Sequence, residues 1–291
     1  MSGASGLLGT AIGQALEAEG AVVGRLVRGG SGDANRIPWE PGKSLTLPSA
    51  FDVVIHLAGE SVVGRWTAAK KARIRDSRVL GTRTLAEAVA RMETKPRVMV
   101  AASAIGFYGD RGDEVLNEES ASGTGFLAEV CREWEAASEP AERAAVRVVH
   151  IRIGVVLSKH GGALGQMLLP FRMGLGGKLG SGRQSMSWIH VDDIVGAVQH
   201  ILNNETIRGP VNLVGPNPAT NAEFTAALGK ALSRPAIFSV PAFALRLALG
   251  QMADEALLAS PRVLPKRLLA SGYEFRFREL GAALENIVVK S

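Results

Sequence analysis

The stretch Met1-Ser2-Gly3-Ala4-Ser5-Gly6-Leu7-Leu8-Gly9, running into Thr10-Ala11-Ile12-Gly13-Gln14-Ala15-Leu16, decides how the rest of the chain is read. Gly3, Gly6 and Gly9 form a G-x-x-G-x-x-G pattern opening an amphipathic helix. In such a loop the first glycine allows a tight turn out of a strand. The second lets backbone N–H groups approach a pyrophosphate, and the third lets the helix pack close to the sheet. The phosphates then lie on the positive end of the helix. The pattern predicts a dinucleotide site in which Gly3, Ser5, Gly6, Leu7, Leu8 and Gly9 take part. Residues 21–28 read as a second strand, so most of a β-α-β unit is present. One part is missing. The loop should follow a strand of about five or six apolar residues, and only Met1 and Ser2 precede Gly3. Such a strand is central and buried on both faces. The expectation is that the natural start lies upstream, or that another segment fills the gap.

Working outward, short apolar runs alternate with helical stretches. Residues 51–58 read as a strand ending at Gly59, 68–92 as a helix broken near its start, and 97–103 as a strand. Residues 125–145 read as helical with a break at Pro140, and 146–153 as another strand. Strands buried on both faces appear as such continuous apolar runs, and the alternation argues for an α/β fold with a doubly wound parallel sheet. Composition shifts after Leu157: residues 159–187 are rich in glycine and carry Met167-Leu168-Leu169-Pro170-Phe171-Arg172-Met173, a mobile lid or a short helix. Residues 192–203 read as a helix, 210–215 as a strand, 222–232 as a helix capped by Asn221, and the tail from Pro241 as largely helical. The expected division is a dinucleotide-binding core over 1–157, to which 188–216 returns. Residues 158–187 and 217–291 form a substrate-side region and C-terminal helical domain.

The 291 residues, 46% hydrophobic and 21% charged, suit a soluble globular protein with a large core. No apolar run is long enough to span a bilayer and no leader is evident. A net charge of +5 with 5% aromatic residues gives little material for stacking nucleic-acid bases. Neither nucleic acid nor a membrane is an expected partner; a small-molecule substrate is, and a homodimer is possible. The single cysteine, Cys131, excludes an internal disulfide and fits a cytoplasmic setting. It lies in a helical pattern and reads as packing. No cluster has metal-ligand spacing, so no metal is expected.

Arg28 ends the second strand 19 positions after Gly9. An acidic residue there would bind the ribose 2′-OH of NAD, whereas arginine suits the 2′-phosphate of NADP. His56-Leu57-Ala58-Gly59 lies at the carboxyl end of a central strand, the edge at which open α/β sheets bind ligands. The small Ala58 and Gly59 would let an adenosine and ribose approach, Leu57 joins them among the expected cofactor-binding residues, and His56 reads as a strand-end side chain.

These segments, with Ser103-Ala104-Ile105-Gly106-Phe107-Tyr108-Gly109 and Trp188-Ile189-His190-Val191-Asp192-Asp193, occur in an order that resembles an extended short-chain dehydrogenase/reductase of the NAD(P)-dependent sugar epimerase/dehydratase type. Residues 126–135, 167–177, 262–265 and 272–275 resemble an atypical subfamily, the epimerase family proteins, sometimes labelled cell-division inhibitors. The resemblance covers essentially the whole chain. It implies that Arg73 and Arg78 lie beside the cofactor phosphates and that Val155 packs on the nicotinamide. Solvated arginines and core packing are the alternatives.

One departure bears on activity. The family pattern has a Tyr-x-x-x-Lys pair on the helix after the serine-bearing strand, where lysine lowers the tyrosine pKa and tyrosinate exchanges a proton with substrate. The matching helix here carries Phe126 and Val130. Ser103 and Tyr108 are then the candidate catalytic residues. Asp192 and Asp193 resemble an acid–base pair but open a helix, where capping is the expected role. His190 either faces the substrate cleft or does not. Two functions follow: an NADP-dependent oxidoreductase or epimerase acting on a hydroxylated or nucleotide-linked small molecule, or a non-catalytic NADP(H)-binding sensor or regulator.

Overall fold

The computed structural model describes residues 1–29, 35–48 and 51–289. The glycine loop leads into α1 (Leu7–Ala18), followed by β1 (Arg25–Val27), β2 (Arg36–Pro38), β3 (Val53–His56), α2 (Ala68–Arg91) and β4 (Val98–Ala104). A 3-10 turn over Ile105–Tyr108 and β5 (Val115–Leu116) precede α3 (Phe126–Ala136), α4 (Glu139–Arg143), β6 (Arg147–Ile153) and β7 (Val155–Leu157). The chain continues through α5 (Gly162–Arg172), β8 (Gly177–Leu179), β9 (Ser185–Met186), β10 (Trp188–His190), α6 (Val191–Asn203) and β11 (Gly209–Leu213). It ends with β12 (Ala219–Thr220), α7 (Asn221–Leu232), β13 (Phe238–Val240), α8 (Ala242–Leu249), a π-helical turn over Ala253–Leu258, β14 (Arg262–Val263), α9 (Lys266–Ala270) and α10 (Leu280–Val289).

The central sheet is parallel, in the order β11-β6-β4-β3, with β1 and β2 as a parallel pair beyond β3. Parallel strands need crossovers, and helices cover both faces. The core on one face gathers α1 and α6 residues such as Ile12, Ile194, Val198 and Ile201 against Val98, Val100 and Val149. On the other face Leu85 and Val89 of α2 and Ala141 of α4 meet Met99, Ala101 and Val148. Side chains alternate along β4, so each core takes every second residue. Burying one such Val, Leu or Ile side chain contributes about 1.5–3 kcal/mol.

Between β1 and β3 the ladder is bridged by Ser2, which pairs in parallel with Leu26 and with His56. Its N–H donates to the Ile55 carbonyl at 2.9 Å, and Leu26 N–H donates to the Met1 carbonyl at 2.8 Å. The Met1 ammonium donates to the Gly24 carbonyl at 2.6 Å. Below Met1 lies a cavity of about 730 Å³ lined by apolar side chains including Leu16, Val23, Val53, Ile55 and Leu202. Among the described residues no other segment enters it.

Several local expectations are corrected. Helix α2 runs without a break. The helix expected over 125–145 divides at 137–138, with Pro140 in the first turn of α4, where its missing N–H has no helical partner to lose. Of the two readings of the glycine-rich segment, a lid or a short helix, residues 162–172 form the helix. Thr220, rather than Asn221, caps α7, in a capping box with Glu223. The pair β1–β2 extends the sheet beyond the glycine loop, and β2 had no clear apolar run to announce it.

His56 is fully buried, with Nδ1 2.6 Å from the Ser2 hydroxyl, Nε2 without a hydrogen-bond partner, and Trp39 edge-on at 5.8 Å. Burial, with a smaller contribution from the nearby N-terminal ammonium, lowers its pKa to about 4. A folded pKa below the unfolded value of about 6.5 means that the unfolded chain takes the proton first. The stability held by neutral His56 is present above pH ~6.5 and is lost as pH falls toward ~4, on the order of 3 kcal/mol in all. Urea unfolding from pH 7 to 4 should show this loss, and His56→Gln should flatten it. An unchanged slope in the variant would refute the assignment.

Candidate functional site

The glycine loop is shaped by contacts that exclude a side chain. Gly3 has a φ of +66°, and a Cβ there would lie 2.7 Å from the Leu57 carbonyl carbon. A Cβ on Gly9 would lie 2.1 Å from the Gly3 carbonyl oxygen. Real Cβ atoms do not approach so closely, so the loop folds over the first turn of α1 only because both positions are glycine. Gly6 is the N-cap and its N–H donates to the Gly3 carbonyl at 3.0 Å. No acid stands in the first turn of α1. The helix therefore presents an uncompensated positive end, with the N–H groups of Leu7 and Leu8 directed at the loop.

The Ser2 hydroxyl ties this loop to the next strand end. It accepts from Leu57 N–H at 3.2 Å and Ala58 N–H at 3.4 Å. The result is a groove of about 690 Å³ lined by Gly3, Ser5 and Gly6, by Leu57, Ala58 and Gly59, by Arg28 just past β1, and by Arg36 at the start of β2. Trp39 and Pro41 close its far wall. Arg36 and Trp39 carry no sequence signal, because nothing in sequence spacing brings β2 beside the loop.

Arg73 and Arg78 part company on α2. Arg78 is held beneath Gly59: its guanidinium donates to the carbonyls of Glu60 and Ile74, both at 3.0 Å, and stacks on Trp134 at 4.9 Å. A Cβ on Gly59 would sit 3.3 Å from its central carbon. Burial lowers the Arg78 pKa. Arg73 is exposed and lies 3.9 Å from the Glu60 carboxylate, which Lys70 holds at 2.7 Å. That hydrogen bond from Lys70 keeps the Glu60 carboxyl below its ordinary range. Two arginines and a lysine thus gather around the residue that follows Gly59. Val155 opens β7, which pairs with β10 at Trp188.

Ser103 and Tyr108 do not converge on an open cleft. Ser103 shares the β4 face of Met99 and Ala101, is 2% exposed, and donates to Glu135 of α3 at 2.6 Å. Tyr108 is turned inward by the 3-10 turn and is fully buried. Its hydroxyl donates to Asn212 Oδ1 at 2.8 Å and accepts from Arg152 at 3.0 Å. Burial raises its pKa. Arg152 is bidentate on Glu135, with both contacts at 2.8 Å, and lies 3.5 Å from the Phe107 ring centre. Asn212 N–H in turn donates to the buried Glu118 at 3.0 Å. The expected catalytic pair is therefore part of a buried polar network. Phe126 packs edge-on against Trp66 at 5.2 Å, and Val130 is buried. The Glu255 carboxylate caps α3 through the N–H groups of Phe126 and Leu127.

The remaining candidates are also structural. His190 is 2% exposed, caps α6 through Nδ1 to Asp192 N–H at 3.0 Å, and stacks on Phe277 at 4.0 Å. This replaces the expected capping by Asp192 and Asp193. Asp193 accepts from the N–H groups of Arg276 and Phe277 at 2.7 and 3.0 Å and so fastens the C-terminal segment to α6. Cys131 is buried, which pushes its thiol up to about 11.

A family model described as the NAD dependent epimerase/dehydratase family matches residues 1–215, and a domain of unknown function matches 240–287. Epimerase family protein Mb2239 of Mycobacterium bovis is 43% identical over 98% of this chain and 95% of its own length. Human epimerase family protein SDR39U1 is 38% identical over 99% of this chain and 98% of its own. The crystal structure of the human protein with NADPH superposes with a TM-score of 0.93, at 36% identity, covering 100% of this chain and 98% of that one. A nucleoside-diphosphate sugar epimerase from Corynebacterium glutamicum superposes with a TM-score of 0.80 at 40% identity, and this chain spans 57% of it.

Proposed function

The chain belongs to the NAD dependent epimerase/dehydratase family, and on that premise we propose that it binds NADP(H) and exchanges hydride with a small hydroxylated or carbonyl molecule. The observation that carries the cofactor is the groove that Arg28, just past β1, and Arg36, at the start of β2, line together with the glycine loop. The human relative crystallised with NADPH supports the same reading. Leu7 and Leu8 N–H groups at the start of α1 hold the pyrophosphate, with Arg78 beneath Gly59 as a fixed positive charge. Arg28 and Arg36 take the 2′-phosphate. The bound dinucleotide supplies the hydride acceptor or donor. Val155 packs against its nicotinamide end.

Proton exchange departs from the family pattern, because Phe126 and Val130 carry no acidic group. Ser103 and Tyr108 spend their hydroxyl hydrogens on Glu135 and Asn212. The proton that accompanies hydride transfer then comes from water or from the substrate's own groups. These committed hydroxyls also favour the second reading, an NADP(H)-binding sensor with no turnover.

Calorimetric titration separates the parts. Wild type should prefer NADP(H) to NAD(H), and Arg28→Ala should lose roughly tenfold or more of that preference, the effect of about 1.5 kcal/mol from one charge-assisted bond. An unchanged preference would remove Arg28 from the phosphate site. Screening bound NADPH for oxidation by carbonyl and nucleotide-sugar pools then divides the readings: turnover supports the oxidoreductase, and tight binding without turnover supports the sensor.

A further inference from the structure

Away from the groove, many of the large exposed apolar side chains lie on neighbouring segments of the C-terminal region. Met173 and Leu175 follow α5, Ile237 and Phe238 lie in and beside β13, and Phe243 and Leu247 lie on α8. Ile237 is 83% exposed, Phe243 71% and Leu247 76%, values far above those of a packed helix or strand. The segments are zipped together. Arg234 Nε donates to the Arg172 carbonyl at 3.0 Å, Phe238 N–H to the Gly176 carbonyl at 3.3 Å, and Gly180 N–H to the Val240 carbonyl at 2.8 Å. Pro241 leads directly into α8, where Phe243 and Leu247 share a face one turn apart. Strand β13 is exposed at all three residues. Exposed apolar side chains gathered on segments joined in this way mark an interaction site.

The segments that carry it are basic. No Asp or Glu occurs from residue 143 to 191 or from 224 to 253. Arg172, Lys178, Arg234 and Arg246 come from the patch segments themselves. Arg65 comes from the loop before α2 and donates to the Leu247 carbonyl at 3.1 Å. Among the described residues, Asp254 bonds to Arg246 at 2.8 Å. We propose that this face docks on an anionic lipid bilayer. A second copy of the chain is disfavoured, because an isologous contact lays the same basic rim against itself. A bilayer satisfies both halves of the pattern: apolar side chains enter the acyl boundary and the rim meets lipid phosphates and carboxylates. Among the described residues no helix is long and apolar enough to cross a membrane, so the contact lies on the surface. This departs from the expectation of no membrane partner, which rested on contiguous apolar runs. The patch is assembled from segments about 70 residues apart in sequence.

Co-sedimentation tests it with the full chain and two vesicle types, phosphatidylcholine alone and phosphatidylcholine mixed with phosphatidylserine. Wild type should bind the mixed vesicles, weakening as salt rises, and should bind neutral vesicles far less. Lys178→Gln and Arg172→Gln should each weaken binding about fivefold, the equivalent of ~1 kcal/mol per basic residue. Phe243→Ser with Leu247→Ser should weaken it by about tenfold or more. These side chains are exposed, and unchanged thermal unfolding and NADPH affinity will show that the variants are folded. No binding to mixed vesicles overturns the proposal, as does equal binding by the Phe243→Ser/Leu247→Ser variant. Two further results also overturn it. One is a wild-type dimer that this variant dissociates, which makes the occupant a second copy. The other is binding to polyglutamate as tight as to vesicles, which reduces the face to a general polyanion site.

Discussion

Gly9→Ala is expected to weaken dinucleotide binding by roughly a hundredfold while leaving the distant sheet folded. The added methyl would lie 2.1 Å from the Gly3 carbonyl oxygen and 2.7 Å from the Ala4 Cα, both main-chain atoms that cannot rotate away. Relief requires the loop to lift from the first turn of α1. That movement carries Gly6 away from the helix end and breaks the Gly6 N–H to Gly3 carbonyl bond. It also separates Gly3 from Leu57 and Ala58, so three walls of the groove change together. A displacement costing on the order of 3 kcal/mol lowers affinity by roughly a hundredfold. Calorimetry with NADPH reads this directly. Gly281→Ala is the control, since nothing lies within 4 Å of its added carbon and it sits in α10. There alanine should leave NADPH affinity unchanged and add up to about 1 kcal/mol of stability through helix propensity. If Gly9→Ala binds NADPH as wild type does, the loop is not the phosphate cradle.

The contrast between loop and strand edge explains what was legible in the chain. The loop depends on backbone geometry, and glycine at fixed spacing announces it. The parallel sheet was legible for a similar reason, since runs such as Val98-Met99-Val100-Ala101-Ala102 suit only a strand buried on both faces. Side-chain fate at a strand end depends on parity and on the next turn. Ser103 ends on the face of Met99, and the 3-10 turn draws Tyr108 inward, so two hydroxyls five residues apart serve one buried network. A charge inside an apolar strand, Arg152 in Val148-Val149-His150-Ile151-Arg152-Ile153, was the available signal. A buried arginine needs an acidic partner, and Glu135 supplies it from a helix otherwise read for its Phe126 and Val130. Arg36 and Trp39 left no comparable signal, because three short residues of β2 align with β1 only in the folded sheet. Asp193 was legible as a helix-start acid and not as an anchor, because its partners Arg276 and Phe277 lie 83 and 84 residues away.

Arg152→Met should be the most destabilising single change in the network, by about 3–5 kcal/mol. Arg152 and Glu135 side chains are 4% and 13% exposed, so their charges are screened little by water. Removing the guanidinium strips Glu135 of two bonds and Tyr108 of the donor to its hydroxyl, and leaves a carboxylate beside Ser103 alone. The cost is that of an uncompensated buried charge, which exceeds the net worth of the intact pair. Changing both partners tests this reasoning. Arg152→Met with Glu135→Leu should be more stable than Arg152→Met alone, because no orphaned charge remains. Tyr108→Phe should cost less, about 1–2 kcal/mol, since it deprives Asn212 of one donor, and should leave NADPH affinity unchanged. Urea unfolding of the four proteins gives the order. A double variant as unstable as Arg152→Met would show that packing around the Phe107 ring, and not charge, governs the site. A fall in NADPH affinity in Tyr108→Phe at wild-type stability would return the tyrosine to the cofactor cleft.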